Sequence, residues 1–156
     1  RWLSDWSSDV CSSDLVTAGA RTASTGWSNV YPTQGTSGSL VWSGAWFYGT
    51  RPSQIRGRIV TRCLMWLPAR RFSTPFTVNL YRHTSNTRPA GDVSRVAGPS
   101  SFSSSSVGRW VTLSTAWGQA IVDSGGGIGM YGGTFGGLMS LAGDARSGQL
   151  RFDWSR

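Results

Sequence analysis

The chain has 156 residues, which is enough for one domain with a modest core, and a formal net charge of +8. Every basic residue is Arg and every acidic residue is Asp, so two of the best surface helix formers, Lys and Glu, are absent. Because Gly, Ser, Thr, Trp and Val are abundant instead, the composition excludes a mainly helical protein. No segment reaches the ~20 apolar residues of a membrane span, so no membrane partner is expected.

The first fifteen residues do not resemble natural protein sequence. Residues 5–15 read DWSSDVCSSDL, which matches the translation of a common short-read sequencing adapter, and residues 1–4 fit the adapter and index that precede it. A secretory leader is excluded, because this stretch carries charge where a leader needs an apolar core. We therefore treat residues 1–15 as an adapter-derived artefact and expect them to be poorly anchored. We also expect the gene to be an assembled fragment whose natural start was lost.

The basicity belongs to the rest of the chain. Residues 16–156 hold fourteen Arg and four Asp, a formal charge of +10. One interpretation is a surface for acidic partners such as nucleic acid or teichoic acid. The other is codon usage in a GC-rich genome, since Arg has GC-rich codons and Lys does not. The Arg residues are scattered rather than clustered, which favours codon usage, and nucleic acid is not predicted as a partner.

The first part of the natural chain carries weak structural signals. Residues 16–39 are rich in Gly, Ser and Thr and are predicted to be a loop-rich segment with at most one short strand. Residues 40–49 predict a strand with a kink at Gly44.

Two segments alternate between apolar and polar side chains, as a half-buried strand does. Residues 58–67 place apolar side chains inward, including Cys63, and Arg62 and Trp66 outward. Without a second natural cysteine, Cys63 is predicted to be a small buried hydrophobe. Residues 76–84 repeat the pattern, with these side chains outward: Thr77, Asn79, Tyr81 and His83.

The remaining segments complete an all-β pattern. Residues 99–106, PSSFSSSS, predict an exposed loop, and Ser114 is the predicted N-cap of one helix at residues 115–123. Further short strands are predicted at residues 109–113, 128–131, 138–141 and 149–154. Short strands with Gly/Ser turns and one short helix predict an antiparallel β-sandwich of jelly-roll type over residues 40–156.

Catalytic machinery is not evident in the sequence. Residues 16–156 have one His and four carboxylates, whose spacing does not suggest the pair that a glycosidase holds ~5 to 10 Å apart. The Gly-rich residues 125–137 follow a helix instead of opening one, so a phosphate-binding loop is not favoured. We predict no catalytic residue, no metal ligand and no cofactor.

Outward-facing aromatic residues are the candidate binding groups. An aromatic ring on a strand is usually part of the core, but one that faces outward can stack on a sugar. Alternation places Trp66 outside near Arg62, and Tyr81 outside beside Arg82 and His83. These five residues are the predicted ligand-binding positions. Packing between domains or subunits is the alternative use of the same rings.

Several stretches carry a resemblance to a known family. RGRIVTRCLMWLPARR, NLYRHTSNTRPAGDV, WVTLSTAWGQAIVDSGGGIGM and GQLRFDWSR resemble, in order and spacing, the C-terminal β-sandwich domains of actinobacteriophage and prophage minor tail proteins. A more distant similarity is to the DNRLRE-type β-sandwich of secreted adhesins and carbohydrate-active enzymes. The resemblance covers about residues 40–156, is weak before them, and carries no catalytic signature.

The resemblance implies a non-enzymatic module at a phage tail, used for host-surface glycan attachment or for tail assembly. The expected partners are other tail subunits or cell-wall polysaccharide, with a homo-oligomer as a further expectation, and the expected location is the virion tail or outside the cell. The alternative is a carbohydrate-binding module of a secreted actinobacterial protein. A lysis or depolymerase activity is disfavoured by the missing carboxylate pair.

Overall fold

A computed structural model describes residues 16–155, so residues 1–15 and the poor anchoring predicted for them lie outside the described part. This part contains eleven strands, a short 3-10 helix and one α-helix. In chain order they are β1 (Thr17–Thr22), β2 (Thr25–Ser28), β3 (Thr33–Ser37), β4 (Leu40–Phe47), the 3-10 helix (Arg51–Ile55), β5 (Ile59–Leu67), β6 (Thr77–His83), β7 (Ala97–Ser103), β8 (Arg109–Leu113), α1 (Thr115–Ser124), β9 (Gly127–Tyr131), β10 (Gly136–Gly137) and β11 (Leu150–Ser155).

The strands form two antiparallel sheets around one main core. The large sheet has the order β10-β3-β4-β9-β6-β7, with β1 joined to β4 and β2 joined to β1, and the small sheet has the order β11-β5-β8. Each sheet contributes alternate side chains to the core between them, among them Cys63, Met65, Val111, Leu113 and Phe152 from the small sheet and Trp46, Val78, Leu80, Ile128 and Met130 from the large one. This confirms the predicted all-β sandwich class; the jelly-roll arrangement stays a prediction.

The helix α1 forms where the sequence predicts it and closes one end of the core. The side chain of Ser114 accepts a hydrogen bond from the backbone N–H of Ala116 at 3.2 Å, which confirms the predicted N-cap. Trp117 and Ile121 are buried one turn apart. The helix ends at Gly125, whose φ of 84° is a conformation that favours glycine.

The prediction of a loop-rich segment at residues 16–39 is wrong, because this segment forms β1, β2 and β3. β1 pairs with β4 from Thr17↔Phe47 to Arg21↔Ser43 and so belongs to the large sheet. The side chains that β1 turns inward, Ala18 and Ala20, are small. The strand is held by a ladder of backbone hydrogen bonds, and its sequence lacks the large apolar side chains that predict a strand.

Gly44, where the sequence predicts a kink, is the point at which β4 changes its pairing partner. β3 pairs with residues 40–42 of β4, and β1 pairs with residues 43–47. A Cβ atom at Gly44 would lie 2.6 Å from the backbone nitrogen of Thr33. The glycine is therefore needed for the close approach of two backbones.

Two further segment predictions are wrong. Residues 99–106 do not form a loop throughout, because residues 97–103 form β7, which pairs with β6 and packs Phe102 against the core. Residues 138–141 do not form a strand, because only Leu138 makes an isolated bridge, with Arg70. A serine-rich strand lacks the apolar alternation that predicts a strand, because the neighbouring strand supplies most of the apolar surface.

The alternation predicted along β5 holds from Cys63 to Leu67 but fails at its start. Val60 pairs with Trp154 and Arg62 pairs with Asp153, so β5 carries one extra residue there. This bulge turns Val60 inward and leaves Ile59 57% exposed, the reverse of the predicted pattern.

Candidate functional site

The five predicted ligand-binding residues lie in two groups on opposite sides of the sandwich. Arg62 and Trp66 lie on the outer face of the small sheet, whereas Tyr81 and His83 lie on the outer face of the large sheet. Arg82 lies on the opposite face of β6 from Tyr81 and His83. It pairs with the inward-facing Ile128 of β9 and is half-buried. The five side chains do not converge on one site.

Trp66 is held by contacts on several sides. Its indole Nε1 donates a hydrogen bond to Oδ2 of Asp144 at 2.8 Å, and the guanidinium carbon of Arg146 lies 3.6 Å from the ring centroid. Trp110 meets the Trp66 ring edge to face at a centroid distance of 5.4 Å. A Cβ at Gly108 would lie 2.6 Å from Cζ2 of Trp66. A sugar therefore could not stack on Trp66 without displacing Arg146.

Arg62 is exposed and makes one weak ion pair. Its Nε lies 3.8 Å from Oδ2 of Asp153 across the β5–β11 pair. An exposed pair at this distance contributes little to stability. The outer face of the small sheet is thus a charged surface around two fixed indole rings.

His83 is fully buried, which corrects the prediction that it faces solvent. The alternation along β6 does place His83 on the face of the large sheet that points away from the main core. A second layer of side chains covers that face. Phe47 and Val93 form a small cluster there with Trp27 packed against it, and the ring of His83 lies 5.0 Å from the ring of Phe47. Trp27 also donates a hydrogen bond to the carbonyl of Gly91 at 3.1 Å, which ties the loop after β6 over this face.

The hydrogen bonds of His83 suit a neutral ring. With Nε2 3.0 Å from the carbonyl oxygen of Trp46 and the N–H of Ser85 3.1 Å from Nδ1, one ring nitrogen donates and the other accepts. Burial lowers the pKa of His83 to about 4. His83 is a structural residue of the second layer, and these contacts offer it no role as a base.

Tyr81 is half-buried on the same face of β6. A Cβ at Gly98 of β7 would lie 3.0 Å from its Cδ2, so the tyrosine ring packs directly on the neighbouring backbone. This contact fixes one side of the ring, so Tyr81 is partly a packing residue.

Each of the four carboxylates of residues 16–155 is engaged by its own partners. Asp92 binds Arg21 and accepts from Ser43 Oγ at 2.9 Å, Asp123 accepts from Gln119, Asp144 binds Trp66, and Asp153 pairs with Arg62. In this part of the chain no three His, Cys, Asp or Glu side chains lie close enough to hold a metal ion.

Cys63 is buried under the helix and is not a reactive thiol. Burial raises its pKa to about 12. A Cβ at Gly118 of α1 would lie 2.9 Å from the Cβ of Cys63, so the helix packs directly on this side chain.

Another site, which the sequence analysis did not identify, lies where the loop between β5 and β6 meets β10. We call it the aromatic cleft; its volume is about 240 Å³ and it is lined by Phe72, Thr74, Phe76, Phe135, Gly136 and Gly137. The ring of Phe72 is 46% exposed and lies 6.4 Å from the ring of Phe135. Buried Phe76 packs on Gly136, where a Cβ would lie 2.5 Å from the ring.

Backbone hydrogen bonds fix the two walls of the aromatic cleft. The N–H of Arg71 donates to the carbonyl of Gly137 at 2.7 Å, and the N–H of Met139 donates to the carbonyl of Ala69 at 2.9 Å. The N–H of Phe76 donates to Ser104 Oγ at 2.9 Å. The cleft is therefore held open by a preformed framework.

Arg71 stands at the rim of the aromatic cleft. Its guanidinium carbon lies 4.0 Å from the ring centroid of Tyr31 and 4.7 Å from that of Phe72. This arrangement places a fixed cation beside an open aromatic wall.

A sequence signal for the aromatic cleft did exist. Phe72 and Phe135 each stand alone within polar or Gly-rich runs, RRFSTP and GGTFGG. An apolar ring in a loop is a stronger indication of binding than a ring on a strand, because loop residues are usually at the surface.

No helix in residues 16–155 is both long and apolar enough to span a membrane. Comparisons with protein-family models, curated proteins and solved structures find no match to the chain. The candidate site therefore rests on its own geometry: an open aromatic cleft with a cation at its rim.

Proposed function

We propose that this chain is a non-enzymatic β-sandwich module of a phage tail that attaches to a host-surface glycan through the aromatic cleft. The observation that carries the proposal is an exposed ring, Phe72, beside a preformed cleft of about 240 Å³. Pockets for drug-sized ligands have volumes of ~300 to 1,000 Å³, so this one has room for about one ring-sized group. Sugar rings bind such surfaces by placing their C–H face on an aromatic ring.

The state of the titratable groups supports a binding role over catalysis. Each of the four Asp residues binds a different partner, and His83 is buried with both ring nitrogens engaged. A hydrolase needs a carboxylate pair or a nucleophile with a nearby base, both open to substrate. In the described residues each of these groups is already bound to the protein, which favours binding over catalysis.

The tail location is proposed on the sequence resemblance. The alternative, a carbohydrate-binding module of a secreted actinobacterial protein, would use the same glycan contact. The genes around the parent gene separate the two: tail genes next to it support the tail, and a leader followed by an enzyme domain supports the secreted protein.

Tail assembly is a second candidate function, with its own supporting observation. Leu40 and Val41, at the end of the β3–β4 hairpin, are 42% and 45% exposed. β9 pairs with β4 only from Ser43 onward, so within residues 16–155 no strand covers this edge of the hairpin at residues 40–42. Open apolar edges are sites of strand pairing between subunits.

A retention assay on immobilised host cell-wall polysaccharide tests the proposal. We expect the wild-type chain to be retained and Phe72→Ala to bind about fivefold more weakly, since a lost ring contact costs on the order of 1 kcal/mol. Ile59→Ala, which removes a similarly exposed apolar side chain from β5, is the matched control and should bind as the wild type does. Unchanged binding of Phe72→Ala would contradict the cleft. No retention together with concentration-dependent self-association would support assembly instead.

A further inference from the structure

We infer that the aromatic cleft selects a glycan that carries an anionic group, a carboxylate or a phosphate, and that Arg71 receives this group. This inference rests on the proposed glycan binding and adds the chemical class of the ligand. It follows from how Arg71 is held, from the absence of a hydrogen-bond acceptor for its guanidinium among residues 16–155, and from the chemistry of the adjoining wall.

Two aromatic rings contact the guanidinium of Arg71. Tyr31 and Phe72 lie 4.0 and 4.7 Å from its central carbon. The five N–H donors of a guanidinium lie in its plane and point outward from its edges. An aromatic ring has no lone pair to accept these N–H groups, so the donors stay available to a ligand, and the two ring contacts reduce the side-chain freedom that would be lost on binding.

No protein acceptor within residues 16–155 uses these donors. Other arginines do have partners: Arg21 binds Asp92, the Nε of Arg70 donates to the carbonyl of Ser73 at 3.2 Å, and an Nη of Arg88 donates to the carbonyl of Ala18 at 2.9 Å. The only side-chain contacts found for Arg71 in this region are the two rings. Since Arg71 is exposed and all four carboxylates of the region bind elsewhere, its charge is open to a ligand.

The wall beside Arg71 determines what else the ligand must carry. Phe72 contacts Arg71 and also lines the cleft, so a group stacked in the cleft lies next to the guanidinium. A guanidinium fork binds a carboxylate or phosphate through two parallel hydrogen bonds, which are roughly twice as strong as bonds between neutral groups. A sugar ring with an acidic substituent meets both requirements, whereas a neutral sugar or an apolar side chain leaves the fork unused.

Binding to defined polymers tests this inference on the full chain. The probes are polygalacturonate for carboxylate, phosphomannan for phosphate, and unphosphorylated mannan as the neutral reference. We expect at least one anionic polymer to bind about tenfold or more tightly than mannan, and Arg71→Gln to reduce its affinity to that of mannan. Arg71→Lys keeps the charge but not the fork and should fall between the two. Binding of only one anionic polymer identifies the anionic group.

The control variant is Arg56→Gln, which removes the same charge from an exposed position in the turn after the 3-10 helix. It should bind as the wild type does, and thermal unfolding should show that both Gln variants stay folded. Equal losses in Arg71→Gln and Arg56→Gln would overturn the inference, because net charge alone would then explain binding. Equal binding of all three polymers, lost in Phe72→Ala, would overturn it but leave the proposed function intact. Single-stranded DNA bound with the same dependence on Arg71 would contradict a glycan ligand.

Discussion

The indole nitrogen of Trp66 donates a hydrogen bond to Oδ2 of Asp144 at 2.8 Å and so joins β5 of the small sheet to the turn that precedes β11. Arg146 from the same turn stacks on the Trp66 ring at 3.6 Å. A ring fixed in this way contributes to stability.

Removing either partner of the Trp66–Asp144 bond should destabilise the fold without affecting glycan binding. Trp66→Phe removes the N–H donor, and Asp144→Asn leaves one acceptor oxygen for two donors, Nε1 of Trp66 and the backbone N–H of Arg146. Each substitution should lower the free energy of unfolding by about 1 to 2 kcal/mol, because a hydrogen bond to a charged group is lost. The double variant should cost less than the sum of the two. Urea unfolding measures these values. Unchanged stability with lost polysaccharide binding would instead make Trp66 a ligand contact.

His83 should make stability depend on pH in a defined window. Its pKa is about 4 in the fold and 6.5 in its ordinary state, so the unfolded chain binds the proton first as pH falls. The stabilisation is complete above pH 6.5 and is lost as pH falls toward 4, by about 1.4 kcal/mol per unit at most.

Urea unfolding at pH 7.5 and pH 5 measures this dependence on His83. The wild-type free energy of unfolding should fall between the two values by about 1 to 2 kcal/mol. His83→Gln should be less stable at pH 7.5, because the contacts with Trp46 and Ser85 are altered, but should show a smaller fall. An equal fall in both proteins would show that other groups cause it.

Gly127 of β9 should not tolerate a side chain. A Cβ there would clash with the carbonyl oxygen of Trp46 and lie 2.9 Å from the His83 ring. Gly127→Ala should cost about 2 to 3 kcal/mol, the upper range for overpacking. Gly26→Ala in β2 is the control, since nothing lies within 4 Å of its added Cβ, and it should change stability by less than about 0.5 kcal/mol. Thermal and urea unfolding compare the two, and equal effects would contradict the second layer over the large sheet.

Cys63 should react with a thiol reagent only when the fold opens. Its pKa near 12 and its complete burial leave almost no accessible thiolate at neutral pH. In a chain carrying Cys11→Ser, labelling should be slow in buffer and rise with urea together with unfolding. Fast labelling under native conditions would contradict the packing of α1 on β5.

The sequence predicted those parts of the fold where apolar side chains alternate or a cap is present. β6, β8, β11 and α1 lie within two residues of their predicted bounds at each end. It failed where pairing depends on distant backbone. β1 faces the core with Ala18 and Ala20, and β7 is rich in serine, so each is recognisable only through the strand beside it. The bulge in β5 is likewise set by its partner β11.

The candidate site was harder to predict for a related reason. Alternation gave the correct face for Trp66 and His83, but it cannot show that another segment covers that face. The aromatic cleft joins Phe72 and Phe135, which are 63 residues apart in the chain. Their meeting depends on how two loops pack, and periodicity within one element carries no information about that.

Chemical-shift mapping with soluble fragments of the host cell-wall polysaccharide tests the central claim most directly. Backbone amide and indole N–H signals would be followed during a titration of the ¹⁵N-labelled chain. We predict saturable shifts at Phe72, Phe135, Gly136 and Gly137, with the indole signals of Trp66 and Trp110 unmoved. Saturable shifts centred on those two indoles, or no saturable shift at all, would contradict glycan binding at the aromatic cleft.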